Sequence, residues 1–487
     1  MLNKICAFLL ASLWTITANA ATSVTQYGIT WTFSADLATG QYANGDYYVV
    51  DPGAGVQITA ISPGYTTSPR AMNGSQLNPK DQNQGFDSQQ YNYDAGLNVG
   101  ITLPLTVAAG NSLVTSIGEP APSGAMSTLK TAAILTVVSS APPAGSFRPG
   151  YSDPEKEIYG NVSDLNYDML ADLEPTASAP DPATYAANFQ RTWLMHSPSW
   201  TSRYMHPTDN IPDNYYYQQP LSIAALLLNC NYSNAQKETL LINFIQHGID
   251  LYGVLKARGY GWTSAAGVGW GRKWPILFAG IMLDEPDMKN IGQVSGDYLF
   301  EVEGYGPGNN PPLYIRFAED ADAFRVSQTD VDQSAKPLSC ADIETCTIDT
   351  EWCPDCRAGT PMPYTTAMIG MPEWGHRYSD NKAEIDSAWY ANYRTIGVGT
   401  RYFSGTALAV MVMGAKTLWN HDVTFDYTDR YMSIAEDGTD PFGYTVQSQA
   451  AGNDATGFVG EMWDTYRMDY PYPPYSRRYA ARLTPNE

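Results

Sequence analysis

Basic residues are scarce in this chain of 487 residues. Lys and Arg together number 28 against 50 Asp and Glu residues, which gives a formal net charge of −22. A surface of this sign repels phosphate backbones and anionic lipids, so nucleic acid and anionic membranes are excluded as general partners. An anionic substrate therefore requires a local cluster of Arg, Lys and His.

Long apolar runs are also missing beyond the N-terminus. The first twenty residues place Lys4 before a short apolar run and small residues at Ala18 and Ala20, which is typical of a cleavable secretory signal and predicts a secreted or periplasmic protein. An uncleaved anchor is the alternative, but the run is too short to span a bilayer comfortably. The apolar runs at 221–228 and 407–415 favour buried helices, and we expect no membrane partner.

Several catalytic motifs are absent. The chain has no GxSxG elbow, HExxH helix or EF-hand loop, which removes the usual support for serine hydrolase and zinc protease functions. Asp320, Asp322 and Asp330 are candidates for a structural calcium site, but their spacing fits no standard loop and favours a solvated surface. The sequence therefore predicts no cofactor and no catalytic metal.

Cysteine is rare, and Cys6 lies within the signal segment. Cys340, Cys346, Cys353 and Cys356 crowd into one polar stretch, which in an exported protein favours two local disulfides. A four-thiolate zinc site is the alternative, but the stretch lacks a second CxxC pair. Cys230 ends an apolar helical run and is predicted to be a buried free thiol.

Two regions of different pattern follow the signal, as the chain length suggests. Residues 21–140 carry strand patterns at 29–33, 47–50, 56–61, 97–105 and 131–138, which predicts a β-sandwich domain. The Pro- and Gly-rich segment 141–154 is interpreted as a linker. Residues 155–487 have helical spacing, interrupted at about 292–366 by an irregular insertion that contains the crowded cysteines.

The clearest helix begins after Ser233, which forms a capping-box pattern with Gln236, and its apolar spacing continues up to Gly259. Short loops join several helices, as antiparallel helical hairpins require. His247 lies within the long helix and is predicted to be a packed or surface residue. His421 precedes a helix and is interpreted as mostly structural capping. The other predicted helices cover 185–195, 216–228, 274–283, 387–402, 405–418 and 425–435.

The first of three candidate site segments covers residues 200–217. It contains Arg203, His206 and Asn214, followed by three consecutive tyrosines that begin at Tyr215. Consecutive helical residues point in different directions, so the three rings cannot all enter one core. This pattern favours a groove lined by at least one tyrosine, with packing between helices as the alternative.

The second candidate segment, 267–275, combines three glycines with Trp270, Arg272, Lys273 and Trp274 immediately before an apolar helix. Glycine lets the backbone approach a ligand closely, and free amides at a helix start favour an anion. The spacing of a phosphate loop is absent, so a carboxylate is the expected anion. The alternative is a tight packing turn with two solvated bases.

The third candidate segment, 373–394, places His376, Arg377 and Tyr378 in one loop, followed by Tyr390 and Arg394. A titrating ring, a fork-shaped cation and a phenol are the groups that elimination from a uronate requires. This segment is the strongest site candidate in the sequence.

A β domain beside helical hairpins, with the Arg-Lys-Trp turn at 272–274 and the loop from Trp374 to Tyr378, resembles polysaccharide lyases with an (α/α) toroid, such as alginate and glucuronan lyases. The resemblance implies an N-terminal β-sandwich followed by an (α/α) toroid of helical hairpins. It also implies β-elimination on an anionic polysaccharide that contains uronic acid. Many toroid lyases carry their β domain after the helices, whereas here it precedes them.

The implied chemistry gives each residue type a role. The proton beside the uronate carboxylate becomes removable once a cation or amide offsets the charge, and Arg377 and Asn214 are the candidates. Tyr378 or Tyr390 would move the proton, with His376 as the base or as the group that lowers a tyrosine pKa. The predicted substrate-binding residues are Arg203, His206, Tyr215, Trp270, Arg272, Lys273, Trp274 and Arg394.

Two alternatives stay open. An inverting glycoside hydrolase on the same scaffold needs two carboxylates about 6.5–9.5 Å apart, and a non-catalytic glycan-binding protein needs only stacking tyrosines. Lyase action creates an unsaturated sugar end that absorbs in the near ultraviolet, whereas hydrolysis releases reducing ends without that absorbance. The carboxylates available to a hydrolase are Asp213, Glu373, Asp380 and Asp386.

Thiol titration tests the cysteine assignment. In the mature protein, denatured without reductant, we expect about one reactive thiol, from Cys230, because the four crowded cysteines are oxidised. Prior reduction should raise the number to about five. Five thiols without reduction, or one bound zinc ion per chain, would contradict the disulfide prediction.

Overall fold

Strands dominate the first part of the chain and helices the second, so the predicted mixture of β and helical structure is present. The computed structural model describes residues 19–120, 129–197, 206–212, 217–262, 269–293, 295–302, 313–334, 364–374, 403–437 and 457–470. No helix within these ranges is both long and apolar enough to cross a membrane. The cysteines at 340, 346, 353 and 356 lie outside the described residues.

The strands of the first part are hydrogen-bonded into one sheet, with the order β5-β7-β8-β3-β2-β4-β6 and with β1 paired to β2. Neighbouring strands run antiparallel except for β3 and β8, which are parallel. The long strand β2 connects the two halves of the sheet, because β4 pairs with its first residues and β3 with its last. The strands are β1 Asn19–Gln26, β2 Ile29–Gln41, β3 Tyr47–Val50, β4 Val56–Ser62, β5 Ser75–Leu77, β6 Leu105–Val107, β7 Asn111–Gly118 and β8 Leu129–Val138.

Both faces of β7 and β8 are buried, each in a different core. Leu113 and Leu135 point into an apolar core formed by the strands, together with Trp31 of β2. Val114 and Ile134, one residue along in each case, belong to the core of the helical region. Successive strand residues point to opposite faces, so these two strands form a wall shared by the two regions. A strand buried on both faces explains the nearly continuous apolar run of β8.

Most sequence-predicted strands are confirmed, but the prediction at 97–105 is wrong. That stretch forms two short 3-10 helices, Ala95–Leu97 and Val99–Ile101, before β6 begins. The side chains of Asp94 and Asn98 each accept the backbone N–H two residues further on, which stabilises a turn instead of a strand.

The predicted capping-box helix is confirmed, with Ser233 and Gln236 at its start and Gly259 in the left-handed conformation at its end. The helix predicted at 185–195 is wrong, because it is reduced to α1 and a 3-10 turn ending at Phe189. The indole N–H of Trp193 donates to the carbonyl oxygen of Asn188 at 2.9 Å. In a continuous α-helix, that carbonyl would accept a backbone N–H four residues further on. The helices are α1 Pro182–Tyr185, α2 Gln218–Leu228, α3 Asn234–Arg258, α4 Lys273–Leu283, α5 Pro286–Lys289, α6 Ala318–Asp322, α7 Gln328–Ser334, α8 Ser404–Val412, α9 Lys416–Trp419, α10 Asp422–Asp437 and α11 Gly457–Tyr466.

Helices α3 and α4 pack closely against each other. A Cβ atom at Gly248 would lie 2.1 Å from the carbonyl oxygen of Pro275, so this contact requires glycine. The ring centroids of Phe244 on α3 and Phe278 on α4 lie 5.2 Å apart, about one turn from this contact on each helix. Residue numbers fall along α3 as they rise along α4, so the pair is antiparallel. Cys230, at the end of α2, is buried and free, as predicted.

The segment interpreted as a linker contains a fully buried arginine. The guanidinium of Arg148 donates to Asp46, after β2, at 2.6 Å and to Asp250, on α3, at 2.7 Å. The side chain of Gln246, also on α3, bonds to both the N–H and the carbonyl of Arg148, each at 2.9 Å. Burial raises the pKa of Asp250, and the nearby carboxylate of Asp46 acts in the same direction. Arg148 therefore joins the strand region to the helical region.

Replacing Arg148 tests this junction. Arg148→Met retains volume but leaves two buried carboxylates without their cation, so we expect the free energy of unfolding to fall by about 3–5 kcal/mol. The matched control is Lys289→Met, which breaks the exposed pair with Asp284 and should cost at most about 1 kcal/mol. Chemical denaturation measures both variants. Equal losses of unfolding free energy in the two variants would show that burial of the Arg148 ion pairs does not add to stability.

Small β strands also occur within the second region. Antiparallel β9, Phe300–Val302, and β10, Leu313–Ile315, form one pair, and β11, Ala323–Arg325, and β12, Pro372–Trp374, form another. The β11–β12 pair carries part of the site described below.

Candidate functional site

The described ends of the three candidate segments meet around α6 and β11. Tyr217 ends the first segment, Trp270 belongs to the second, and Trp374 of the third pairs with Ala323 of β11. These three residues therefore lie near one another in space although they are far apart in sequence. The other predicted site residues, namely Arg203, Asn214, Tyr215, His376, Arg377, Tyr378, Tyr390 and Arg394, lie outside the described residues.

The turn at 270–274 binds carboxylates of the chain itself. Glu319 Oε1 accepts the backbone N–H groups of Gly271 and Lys273, at 3.3 and 3.4 Å. Lys273 Nζ pairs with Asp320 at 2.6 Å, and the indole of Trp270 donates to Asp322 at 2.7 Å. In this conformation the acidic helix α6 supplies carboxylates to the helix start, where backbone N–H groups favour an anion.

Burial determines what this turn offers to a ligand. Trp270, Arg272, Lys273 and Trp274 are all fully buried, so neither indole presents a face to solvent and neither cation is solvated. The alternative interpretation of two solvated bases is therefore wrong. Substrate binding by these four residues stays a prediction, and it requires a conformation in which this turn is open.

Tyr217, His247 and Arg272 form a compact buried group beside the turn. The phenol of Tyr217 and Nε2 of His247 are 2.5 Å apart, and the guanidinium of Arg272 lies 4.6 Å from the centre of the Tyr217 ring. Burial lowers the pKa of His247 to about 3, with Arg272 acting in the same direction. The imidazole is therefore neutral at neutral pH and accepts the phenol hydrogen when Nε2 carries the lone pair.

His206, a predicted binding residue, extends the same group. Its ring stacks on Trp193 with the centroids 5.1 Å apart, and Trp193 meets Tyr217 edge to face at 5.3 Å. His206 is buried, so its contact with substrate stays a prediction. The pairing of His247 with Tyr217 could not be predicted from the sequence, because a histidine within a helix carries no local signal of its partner.

Glu319 is the second residue that the sequence analysis missed. It is fully buried, and within the described part of the chain its Oε2 atom has no hydrogen-bond partner. Burial, with Asp320 acting in the same direction, raises the pKa of its carboxyl group to about 7. Burial also lowers the pKa of Arg272 to about 10. Four titratable groups therefore share one enclosed site, an arrangement that is enriched at functional sites.

The third segment enters the site through β12. Glu373 is buried and accepts from Arg430 at 3.4 Å and from the backbone N–H of Trp374 at 3.1 Å. A hydrolase that uses Glu373 would need this carboxylate to leave its ion pair. The other carboxylates considered for hydrolysis, Asp213, Asp380 and Asp386, lie outside the described residues.

The acidic residues considered for calcium have other partners. Asp320 pairs with Lys273, Asp322 accepts from Trp270, and Asp330 accepts from Ser327 at the start of α7. Asp322 and Asp330 are buried, so the expectation of a solvated surface is wrong for them. Among the described residues, no group of three or more His, Cys, Asp or Glu is arranged to hold a metal ion.

No family model, curated protein or solved structure matches the chain.

The pH dependence of stability tests the environment of Glu319. The raised pKa means that the folded protein keeps a proton that the unfolded chain releases, so stability is lost as pH rises from about 4.5 towards about 7. Glu319→Gln should remove this loss. Over that pH range, the free energy of unfolding of the variant should rise relative to that of wild type by an amount on the order of 3 kcal/mol.

Urea unfolding at several pH values measures the difference between the variants. Glu238→Gln, at an exposed position on α3, is the control and should follow the pH dependence of wild type. Parallel stability curves for Glu319→Gln and wild type would contradict a raised pKa.

Proposed function

We propose that this protein is a secreted polysaccharide lyase that cleaves a uronic-acid-containing polysaccharide by β-elimination. The observation that carries the proposal is that the described ends of three segments, each rich in basic and aromatic residues, meet at α6 and β11. Tyr217, Trp270 and Trp374 bring these segments together. An anionic substrate of a chain with a net charge of −22 requires such a local concentration of cations.

The proposal includes a finer description of the fold. The strand region would be a β-sandwich, and the helices would complete an (α/α) toroid. Two observations support this: apolar residues from β1 to β8 surround one core, and α3 and α4 form an antiparallel pair. Packing of α2 against α8 adds a second helix contact, where Gly405 approaches Ser222.

Elimination has two chemical requirements that the residues of this chain supply. The uronate carboxylate must be neutralised, and Arg377 and Asn214 stay the predicted groups for this task. A proton must then be moved, with His376, Tyr378 and Tyr390 as the predicted groups. Tyr217 is a further phenol beside a neutral imidazole and a cation, which is a composition suited to proton transfer.

A glycoside hydrolase is the second candidate, and Glu319 favours it. A carboxyl group that holds its proton up to about pH 7 is what a hydrolytic general acid requires. Because Glu319 is fully buried, this role requires a conformation in which the site is open. The hydrolase reaction yields reducing ends without near-ultraviolet absorbance. Glycan binding without catalysis yields neither signal.

Activity measurements on a panel of polymers test the proposal. We expect near-ultraviolet absorbance to rise on at least one of alginate, glucuronan, pectate and hyaluronan, and not on a neutral glucan. Arg377→Ala should reduce this rate by a factor of about 100 or more, because a neutralising cation acts mainly in the transition state. Tyr378→Phe should have a similar effect if that phenol moves the proton.

Tyr314→Phe is the matched control, because Tyr314 is 51% exposed and lies outside the three candidate segments. Its rate should equal that of wild type. Reducing ends without absorbance would favour the hydrolase, and full activity in Arg377→Ala would remove that arginine from the site.

A further inference from the structure

The enclosed group cannot by itself touch a polymer. Arg272, Lys273 and Glu319 are fully buried, and Tyr217 is 3% exposed. A reaction on a polysaccharide requires at least one chemical group at the solvent boundary of this cluster. Two polar residues around Lys273 are only half-buried, and they are Asp320 and His421.

The hydrogen bond of His421 determines which ring nitrogen is basic. Its Nε2 atom lies 3.0 Å from the carbonyl oxygen of Ala323 on β11. A carbonyl can only accept, so Nε2 carries the hydrogen and Nδ1 carries the lone pair of the neutral ring. Within the described part of the chain, Nδ1 has no hydrogen-bond partner. His421 therefore offers a basic nitrogen with a fixed tautomer.

Burial favours the neutral ring of His421. Burial lowers the pKa of the imidazole, Asp320 opposes this effect, and Lys273 adds to it. Asp422, the next residue along the chain, also favours the charged form. Because Asp320 is itself paired with Lys273, it favours the imidazolium less than a free carboxylate would.

An accessible cation lies close to the same edge. Arg325 is two residues after Ala323 on β11, and side chains two apart on a strand share a face. Its guanidinium pairs with Asp426 on α10, and its side chain remains 43% exposed. Asp426 is five residues after His421, which corresponds to about 7–8 Å along a helix.

We propose that His421 is the general base of the elimination, a role for which the loop at 376–378 and Tyr390 were the earlier candidates. Arg325 then binds the substrate carboxylate beside the neutralising groups predicted from the sequence. This inference rests on the proposed function. Nδ1 of His421 removes the proton on the carbon next to the carboxylate, and the electron pair of that C–H bond forms the C=C double bond. The glycosidic C–O bond breaks, and its oxygen takes a proton from water or from the imidazolium.

The discriminating variant is His421→Gln. The glutamine amide can still donate to the carbonyl of Ala323, but it has no basic nitrogen in place of Nδ1. We expect kcat to fall by a factor of about 100 or more with an unchanged melting temperature. Arg325→Met should chiefly raise KM on the uronate polymer. Tyr314→Phe serves again as the control with wild-type activity.

Chemical modification tests the accessibility of His421 without a measurement of turnover. Diethyl pyrocarbonate acylates accessible neutral imidazoles, and mass spectrometry locates the product. His421 should react in the folded protein and be protected by the polymer that is cleaved. His196 is fully buried and should react only after unfolding.

The outcomes separate the two proposals. Near-ultraviolet absorbance from wild type with loss in His421→Gln, together with protection from acylation, supports both. Absorbance from wild type that persists in His421→Gln overturns the role of His421 alone, as does a failure of His421 to react in the folded protein. The lack of absorbance on every polymer overturns the proposed function and this inference with it.

Discussion

The buried guanidinium of Arg148 is the constraint on which the arrangement of this chain depends. It lies between Asp46 of the strand region and Asp250 of α3, and neither carboxylate has access to bulk water. A buried charge is tolerated only when its partners are held in place, so the contact fixes α3 against the sheet. On the same helix, His247 is three residues before Asp250 and contacts Tyr217. The junction and the candidate site are therefore connected through one rigid helix.

Electrostatic pairing explains why the candidate site is closed on one side. Arg272 and Lys273 are cations in an apolar environment, and such cations need counter-charges nearby. Helix α6 brings Glu319 and Asp320 to this position, where one caps the start of α4 and the other pairs with Lys273. The same pairing occupies groups that would otherwise attract an external carboxylate. Under the proposed function, chemistry on a polymer would therefore take place at the edge of the cluster, where side chains remain accessible.

The edge of the cluster is formed by secondary-structure contacts and not by a single loop. Ala323 bonds to His421 through its backbone, while its strand partner is Trp374. Arg325, on the same strand, reaches α10 through Asp426. The backbone of β11 is thus held on both sides, by β12 and by the contact with His421.

The sequence by itself determined the local features of this protein. The capping box at Ser233 and the left-handed Gly259 define α3, because both signals act within one turn of the chain. The free thiol of Cys230 was also evident from neighbouring residues. The failed strand at 97–105 was a local signal too, but the side chains of Asp94 and Asn98 outweighed the apolar pattern.

Only the tertiary structure decided which groups became partners. Arg148 is one arginine in a Pro- and Gly-rich stretch, and nothing near it in sequence indicates a carboxylate about a hundred residues away on either side. Glu319 acquired its raised pKa from burial, which no local pattern encodes. The tautomer of His421 depends on the carbonyl of Ala323, 98 residues earlier. Propensities and caps act over a few residues, whereas desolvation and pairing depend on contacts that exist only once the chain has folded.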